Sequence, residues 1–195
     1  MLAASHGAVW NGSEIGRSLG LSYHTVNGYL DYLEGAYLVR RLQPFSTNPG
    51  KRFIKAPRVF WRDTGLLHAL WGVRGMRDLL SHPRTGLSWE GFVIEQILSA
   101  LKAEGIRVEA SFLRTRDGQE LDLILESGTR RWAVEVKLSS HPGPEDLALL
   151  DRRAAGIQAA GRLLVARVDK TTRSGSRALT NLDGAMALLK EEFSR

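Results

Sequence analysis

The amino-acid sequence predicts an α/β (α+β) protein in which a small, mainly helical domain precedes a larger domain built on a mixed sheet. Two observations lead to this prediction. Residues 13–62 read as two short amphipathic helices followed by a pair of strands, and from residue 88 the pattern becomes helix, strand, strand, strand, helix, strand. The predicted boundaries are 1–62 for the first domain, 63–87 for a connector and 88–195 for the second domain.

The composition is that of an ordinary globular protein and excludes several kinds of chemistry. The chain has 195 residues, of which 43% are hydrophobic and 25% charged, and it has no Cys. Disulfide frameworks, thiolate zinc sites and Cys nucleophiles are therefore excluded. No apolar run reaches the ~18 residues of a membrane span, and the N-terminus lacks the pattern of a signal peptide. We expect a cytoplasmic protein that does not associate with membranes.

The net charge of +6 is concentrated in one segment. Residues 35–62 contain no acidic residue, and their basic residues are Arg40, Arg41, Lys51, Arg52, Lys55, Arg58 and Arg62. A polyanion such as DNA could dock on this segment. The alternative is a solvated basic hairpin that keeps the protein soluble.

Two helices are predicted in the first domain. Ser13 is expected to cap a helix that ends before Gly20, and Ser22 to cap a second helix. The inward stripe of the second helix consists of Val26, Leu30 and Leu33. A tight turn separates the helices, which is the helix-turn-helix pattern.

A β-hairpin is predicted directly after these helices, from residues 36–45 and 52–61. Helix, turn, helix and hairpin together make a winged helix. In the DNA-binding version the second helix enters the major groove, and the phosphates are contacted by hairpin residues Arg40, Arg41, Lys51, Arg52 and Lys55. Winged helices also serve as rigid protein-binding modules, and this alternative stays open. Asp63 is expected to cap the next short helix, in the connector.

The second domain is predicted to contain a mixed sheet. A helix capped by Ser88 is followed by strands at 107–114, 119–127 and 130–140, a helix at 144–157 and a strand at 161–168 that is apolar on both faces. A final helix at 180–193 is expected to pack on this domain.

Acidic residues recur on these elements. The period of two puts Asp122 on the strand face opposite the leucines and Glu135 on the same face as Lys137. If the two strands pair, Asp122 and Glu135 meet at one rim of the sheet with Lys137 beside them. Glu90 lies on the apolar stripe of the opening helix, whereas Glu95 does not.

Carboxylates that converge at a sheet rim can hold a hard divalent cation. Mg²⁺ or Mn²⁺, held by Asp122, Glu135 and Glu90 with Lys137 adding positive charge, would suit phosphodiester hydrolysis. The alternative is structural: Glu90 pairs with an Arg or with Lys137, and Glu135 and Lys137 form an ion pair.

Three other enzyme classes lack their motifs. The chain has no G-x-x-x-x-G-K-[ST] loop, so it is not an ATPase by itself, and it has neither H-E-x-x-H nor G-x-S-x-G.

Several segments resemble a known family when taken in order. They are residues 11–45, NPGKR at 48–52, RVFWRDTGLL at 58–67, SWEGFVIEQIL at 88–98, GQELDLIL at 118–125 and WAVEVKLS at 132–139. Together they are similar to domain of unknown function 4143, the C-terminal half of a large family of bacterial and archaeal AAA-type ATPases. Asp122, twelve intervening residues and Glu135-Val-Lys137 also resemble the PD-(D/E)XK motif, although Leu121 stands where that motif has Pro.

The resemblance implies a winged helix followed by a restriction-endonuclease-like αβββαβ domain. It also implies that Glu90, Asp122, Glu135 and Lys137 form the nuclease constellation and that an ATPase domain or subunit is a partner. The predicted function is therefore a Mg²⁺-dependent DNA endonuclease module. The alternative is a non-catalytic DNA- or protein-binding module that regulates an ATPase partner.

Overall fold

A computed structural model describes residues 1–45, 56–115 and 118–194. The chain divides into two compact units, the first made of residues 1–43 and 55–92 and the second of residues 44–54 and 93–195. Both helices and a mixed sheet are present, so the predicted α+β class is confirmed. Within these ranges no helix is long and apolar enough to cross a membrane.

The first unit contains the helices and the hairpin that the sequence predicts. Its elements are a 3-10 helix at Leu2–Ser5, α1 at Gly12–Leu19, α2 at Tyr23–Gly35, β1 at Val39–Pro44, β2 at Arg58–Trp61, α3 at Thr64–Leu70, α4 at Met76–Ser81 and the start of α5 at Thr85–Ala103. β1 and β2 pair antiparallel, with Val39 opposite Trp61. Their apolar residues share a core with Leu30 of α2 and Leu67 of α3.

Most of the predicted helix boundaries in this unit are confirmed. Ser22 caps α2 through a 3.1 Å hydrogen bond from the Thr25 amide, Asp63 caps α3, and Gly20 ends α1 with φ of 67°. The prediction for Ser13 was wrong. Asn11 caps α1 instead, because its side-chain oxygen accepts the amide hydrogen of Glu14 at 3.1 Å.

A neutral histidine lies at the centre of the first unit. The ring of His6, which is 1% exposed, accepts the Trp61 amide hydrogen at Nδ1 (3.0 Å) and donates from Nε2 to the Leu87 carbonyl (3.1 Å). These two bonds require the neutral tautomer with its proton on Nε2. Burial is the main reason that the pKa of His6 is lowered to about 4, which keeps the ring neutral at physiological pH.

The second unit is built on six strands in the order β3-β4-β5-β6-β8-β7. Its elements after α5 are β3 at Glu109–Arg114, β4 at Glu120–Ser127, β5 at Arg130–Val136, α6 at Pro144–Gly156, β6 at Gly161–Val165, β7 at Thr172–Ser174, β8 at Arg177–Thr180 and α7 at Leu182–Phe193. β3, β4 and β5 pair antiparallel, β5 pairs parallel with β6, and β6 pairs parallel with β8. The predicted mixed sheet is thus confirmed.

Several details of the second unit differ from the prediction. Ser88 does not cap α5, which begins at Thr85; it lies within the first unit, where its hydroxyl forms a 2.7 Å hydrogen bond with His68. β4 is buried on both faces, because Ile124 is as inaccessible as the leucines beside it. Strands β7 and β8 were not predicted, since β7 has three exposed residues without an apolar alternation.

Replacing Gly91 with Ala is expected to destabilise the first unit. A Cβ at Gly91 would lie 2.6 Å from Nε2 of His6 and 3.0 Å from the Phe60 ring, and both rings are buried. We expect the free energy of unfolding to fall by about 1–3 kcal/mol, as measured by urea denaturation. The matched control is Gly86→Ala on the same helix, where a Cβ would meet nothing within 4 Å. The control should leave stability unchanged or raise it by up to about 1 kcal/mol; equal losses in the two variants would contradict the explanation.

Candidate functional site

The pairing of β4 with β5 brings two predicted carboxylates together. Leu123 lies opposite Val134 in this antiparallel pair, and continuing the register by one residue sets Asp122 opposite Glu135. Oδ2 of Asp122 accepts a 2.9 Å hydrogen bond from the Val136 amide. The expected meeting of Asp122 and Glu135 is therefore observed.

Glu135 is a buried acid held by an arginine. It is 7% exposed, and its Oε1 lies 2.9 Å from Nη1 of Arg153 on α6. Oε2 is also buried and has no hydrogen-bond partner among the described residues. One carboxylate oxygen is thus satisfied by the guanidinium, and the other is a buried oxygen that lacks the hydrogen bond such atoms usually have.

The surroundings of Glu135 disfavour its charge. Burial is the largest cause and the negative charge of Asp122 the second, and together they raise the pKa of Glu135 to about 7. Arg153 and Lys137 act in the opposite direction and limit the increase. A carboxyl with such a pKa gains or loses its proton near neutrality, so a cation that binds there competes with a proton.

Lys137 is held close to these acids by the first turn of α6. Its Nζ lies 3.4 Å from Oδ1 of Asp146, and Oδ2 of Asp146 accepts the Gly143 amide hydrogen at 3.0 Å. For both Glu135 and Lys137, which the structural alternative paired with each other, the structure shows an ion pair with α6. Glu135 pairs with Arg153 and Lys137 with Asp146, because α6 packs against this face of the sheet.

Glu90 belongs to the first unit and has an arginine partner there. Oε1 of Glu90 lies 2.6 Å from Nη1 of Arg58, and both side chains are 11% exposed. The structural alternative, in which Glu90 pairs with an Arg, is confirmed for this residue. Glu95 is also buried, contrary to what the apolar stripe suggested, and accepts a 3.1 Å hydrogen bond from the Ser99 hydroxyl.

Two carboxylates lie next to each other at the sheet rim. Across the described ranges, no three His, Cys, Asp or Glu side chains form a group that could hold a metal ion. What the site does offer is the pair Asp122 and Glu135, with the buried Oε2 of Glu135 lacking a partner. Oxygen ligands of this kind suit Mg²⁺, which keeps several waters and needs only one or two carboxylates.

The predicted phosphate-binding residues are only partly described. Arg41 forms ion pairs with Asp31 and Glu34 of α2, and Arg40 is a half-buried residue of β1. Lys51, Arg52 and Lys55 lie outside the described residues.

Sequence reasoning missed Arg153. A signal for it exists, because Arg153 lies on the helical stripe formed by Leu150, Ala154 and Ile157, which are all buried. A charged residue on an apolar stripe needs a buried partner. The same reasoning singled out Glu90 and would have singled out Arg153.

Two family models match this chain. "Domain of unknown function (DUF4143)" matches residues 85–183. The chain belongs to the DUF4143 family. "Domain of unknown function (DUF8612)" matches residues 1–77. Asp122, Glu135, Lys137 and Arg153 all lie in the DUF4143 segment.

Two curated relatives of this DUF4143 chain are uncharacterized proteins from Mycobacterium bovis and Mycobacterium tuberculosis. Each is 41% identical over 142 residues, which cover 73% of this chain. The chain spans 31% of the length of these relatives.

Replacing Glu135 with Gln is expected to change how the stability of the protein depends on pH. The substitution removes a group whose loss of a proton makes the free energy of unfolding fall as the pH rises. The pKa of this carboxyl is about 7 when folded, against 4.5 without the fold. Between these values the folded protein binds the extra proton, so the free energy of unfolding of the wild type falls as the pH rises. The free energy of unfolding of E135Q minus that of the wild type should rise by up to about 3 kcal/mol from about pH 5 to about pH 8. Urea denaturation in EDTA measures this difference, and a difference that ignores pH would contradict the assignment.

Proposed function

We propose that this chain is a nucleic-acid-binding module with a divalent-cation-dependent site for phosphodiester hydrolysis. The observation that carries the proposal is the position of Asp122 opposite the buried Glu135, whose Oε2 has no partner among the described residues. Two adjacent carboxylates with a nearby lysine form a common arrangement for binding a metal ion beside a phosphate.

Each residue of the site has a distinct role in this proposal. Asp122 and Glu135 hold Mg²⁺ or Mn²⁺, and the hydrogen bond from the Val136 amide fixes the orientation of the Asp122 carboxylate. Lys137, held by Asp146, places positive charge where a phosphate oxygen or a water molecule would bind. The cation supplies charge stabilisation at the phosphate and makes water a better nucleophile.

The element order supports a winged helix followed by a restriction-endonuclease-like fold. α1, α2 and the β1–β2 hairpin follow the order of a winged helix. From α5 to β6 the order is αβββαβ, which is the core order of PD-(D/E)XK enzymes. In this proposal Arg40, Arg41, Lys51, Arg52 and Lys55 contact phosphates, and Glu90 stabilises the first unit through Arg58 rather than holding the metal.

An ATPase domain or subunit is the proposed partner. The 142 matched residues are 31% of each curated relative, so each relative is more than twice as long as this chain of 195 residues. In this proposal the module acts together with the rest of such a longer protein. We propose that ATP hydrolysis takes place in that remainder, because this chain has no phosphate-binding loop motif.

Cleavage of supercoiled and single-stranded DNA with Mg²⁺ or Mn²⁺ tests the catalytic proposal. E135Q and D122N each remove a negative charge from the cation site and should lower the cleavage rate at least about tenfold. Product formation is followed on gels.

The matched control is Glu126→Gln on the same strand as Asp122. Glu126 pairs with Arg131 at 2.6 Å and lies outside the proposed site, so this variant should cleave as the wild type does. Absence of cation-dependent cleavage by the folded wild type, with and without its ATPase partner, would reject the catalytic proposal.

The second candidate function is a non-catalytic module that binds DNA or protein and regulates an ATPase partner. The observation that favours it is that Glu135 and Glu90 each already have an arginine partner. In this version both acids stabilise the fold. Neither E135Q nor D122N would then affect any cation-dependent activity.

Replacing Arg153 with Met distinguishes the two candidates. The change leaves Glu135 buried without its guanidinium, so the metal-free protein should lose roughly 3–5 kcal/mol of stability. If Asp122 and Glu135 hold a cation, Mn²⁺ then binds without competition from Arg153. We expect Mn²⁺ to raise the melting temperature of R153M more than that of the wild type, measured by differential scanning fluorimetry. Arg153→Lys, which keeps a positive charge, should respond like the wild type; an absent Mn²⁺ response in all three proteins would favour the non-catalytic candidate.

A further inference from the structure

All four tyrosines of the chain lie on the surface of one helix and of the turn that follows it. Tyr23, Tyr29 and Tyr32 belong to α2, and Tyr37 follows it by two residues. Their exposed fractions are 51%, 59%, 76% and 70%, in chain order. Tyrosines usually bury most of their ring, and exposed aromatic clusters mark surfaces that bind other molecules.

Tyr37 has a backbone conformation that a bulky residue rarely adopts. Its φ is +60°, in the left-handed region where glycine is the usual residue after a helix. Its amide donates to the Glu34 carbonyl, and the next amide, of Leu38, donates to the Leu33 carbonyl. Glycine would end the helix equally well without strain, so the phenol ring contributes little to the fold, being 70% exposed.

An arginine is positioned over this ring. The guanidinium carbon of Arg62 lies 5.4 Å from the centroid of the Tyr37 ring, within the range of a cation–π contact. The Arg62 amide donates a 3.0 Å hydrogen bond to the carbonyl of Leu38, the residue that follows Tyr37. The acids of α2 nearest to the hairpin, Asp31 and Glu34, are both paired with Arg41.

We propose that Tyr32 and Tyr37, which are exposed at the C-terminal end of α2, and Arg62, which lies over the Tyr37 ring, form a surface, the tyrosine surface, that binds single-stranded nucleic acid. Unpaired bases stack on the tyrosine rings and on the Arg62 guanidinium, and Arg40 of β1 contributes positive charge that attracts the phosphates. Charge favours this ligand, because residues 35–62 carry basic side chains and no acidic one. Stacking needs unpaired bases, since bases in a duplex are already stacked.

This inference rests on the nucleic-acid-binding part of the proposed function and does not require the cation site. It adds that the ligand is single-stranded and that base stacking contributes to affinity. Phosphate contacts alone would bind duplex DNA at least as well as a single strand, because a duplex carries more charge per unit length.

Fluorescence anisotropy with labelled poly-dT and with a labelled duplex tests the proposal. Y37G and Y32A should each weaken binding of the single strand about tenfold and change duplex binding little. Y37G separates binding from folding, because glycine suits a positive φ and its thermal midpoint should equal or exceed that of the wild type. The control is Leu80→Ala, which removes an equally exposed apolar side chain (59%) from α4 of the same unit and should leave binding unchanged.

Four outcomes would overturn the inference, and they separate it from the proposed function. Unchanged single-strand binding in both tyrosine variants, with weaker binding in Arg40→Glu, would remove the stacking role and leave phosphate binding in place. Tighter binding of the duplex than of the single strand by the wild type would also exclude base stacking and leave phosphate binding in place. Binding of neither probe by the wild type would reject the inference together with the DNA-binding part of the proposed function. Equal, tyrosine-dependent binding of a labelled poly-glutamate peptide would identify the surface as one for acidic protein segments.

Discussion

The antiparallel register between β4 and β5 is the constraint on which the candidate site depends. Because side chains alternate between the two faces of a strand, a slip of one residue would move Asp122 to the other face and away from Glu135. The register is held by Leu121, Leu123 and Leu125, which are at most 1% exposed. Burial of these leucines, an apolar interaction, therefore fixes the distance between two charged groups.

Charge balance at this rim depends on what α6 contributes. The sheet alone would set two carboxylates side by side, which is unfavourable in a buried place. α6 supplies Arg153 to Glu135 and Asp146 to Lys137, so these two groups each have a partner of opposite charge. The balance is incomplete, since Glu135 still has a raised pKa and one unsatisfied oxygen. In the proposed function, a cation replaces the proton of Glu135 at this site.

The first unit is organised around a neutral histidine. Its centre is a neutral imidazole that joins β2 to α5 by two hydrogen bonds, and Gly91 leaves the space that the ring occupies. Its surface carries the tyrosines and much of the positive charge. The carboxylates Asp122 and Glu135 lie in the second unit and the exposed tyrosines in the first. In the proposed function, the first unit holds the nucleic acid and the second hydrolyses it.

The sequence by itself determined the class of the fold, the helix pattern of the first unit and the alternation that puts Asp122 and Glu135 on faces that meet. These features follow from local periods and capping residues, which a single strand or helix reveals. Only the tertiary structure decided which charges pair, because ion-pair partners come from elements distant in sequence. Glu135 and Arg153 are 18 residues apart and Arg58 and Glu90 are 32 apart, and no local pattern distinguishes Arg153 from Lys137 as the partner of Glu135. The packing of α6 on the sheet made that choice, since the side chain that reaches a buried carboxylate depends on which face of the helix points inward.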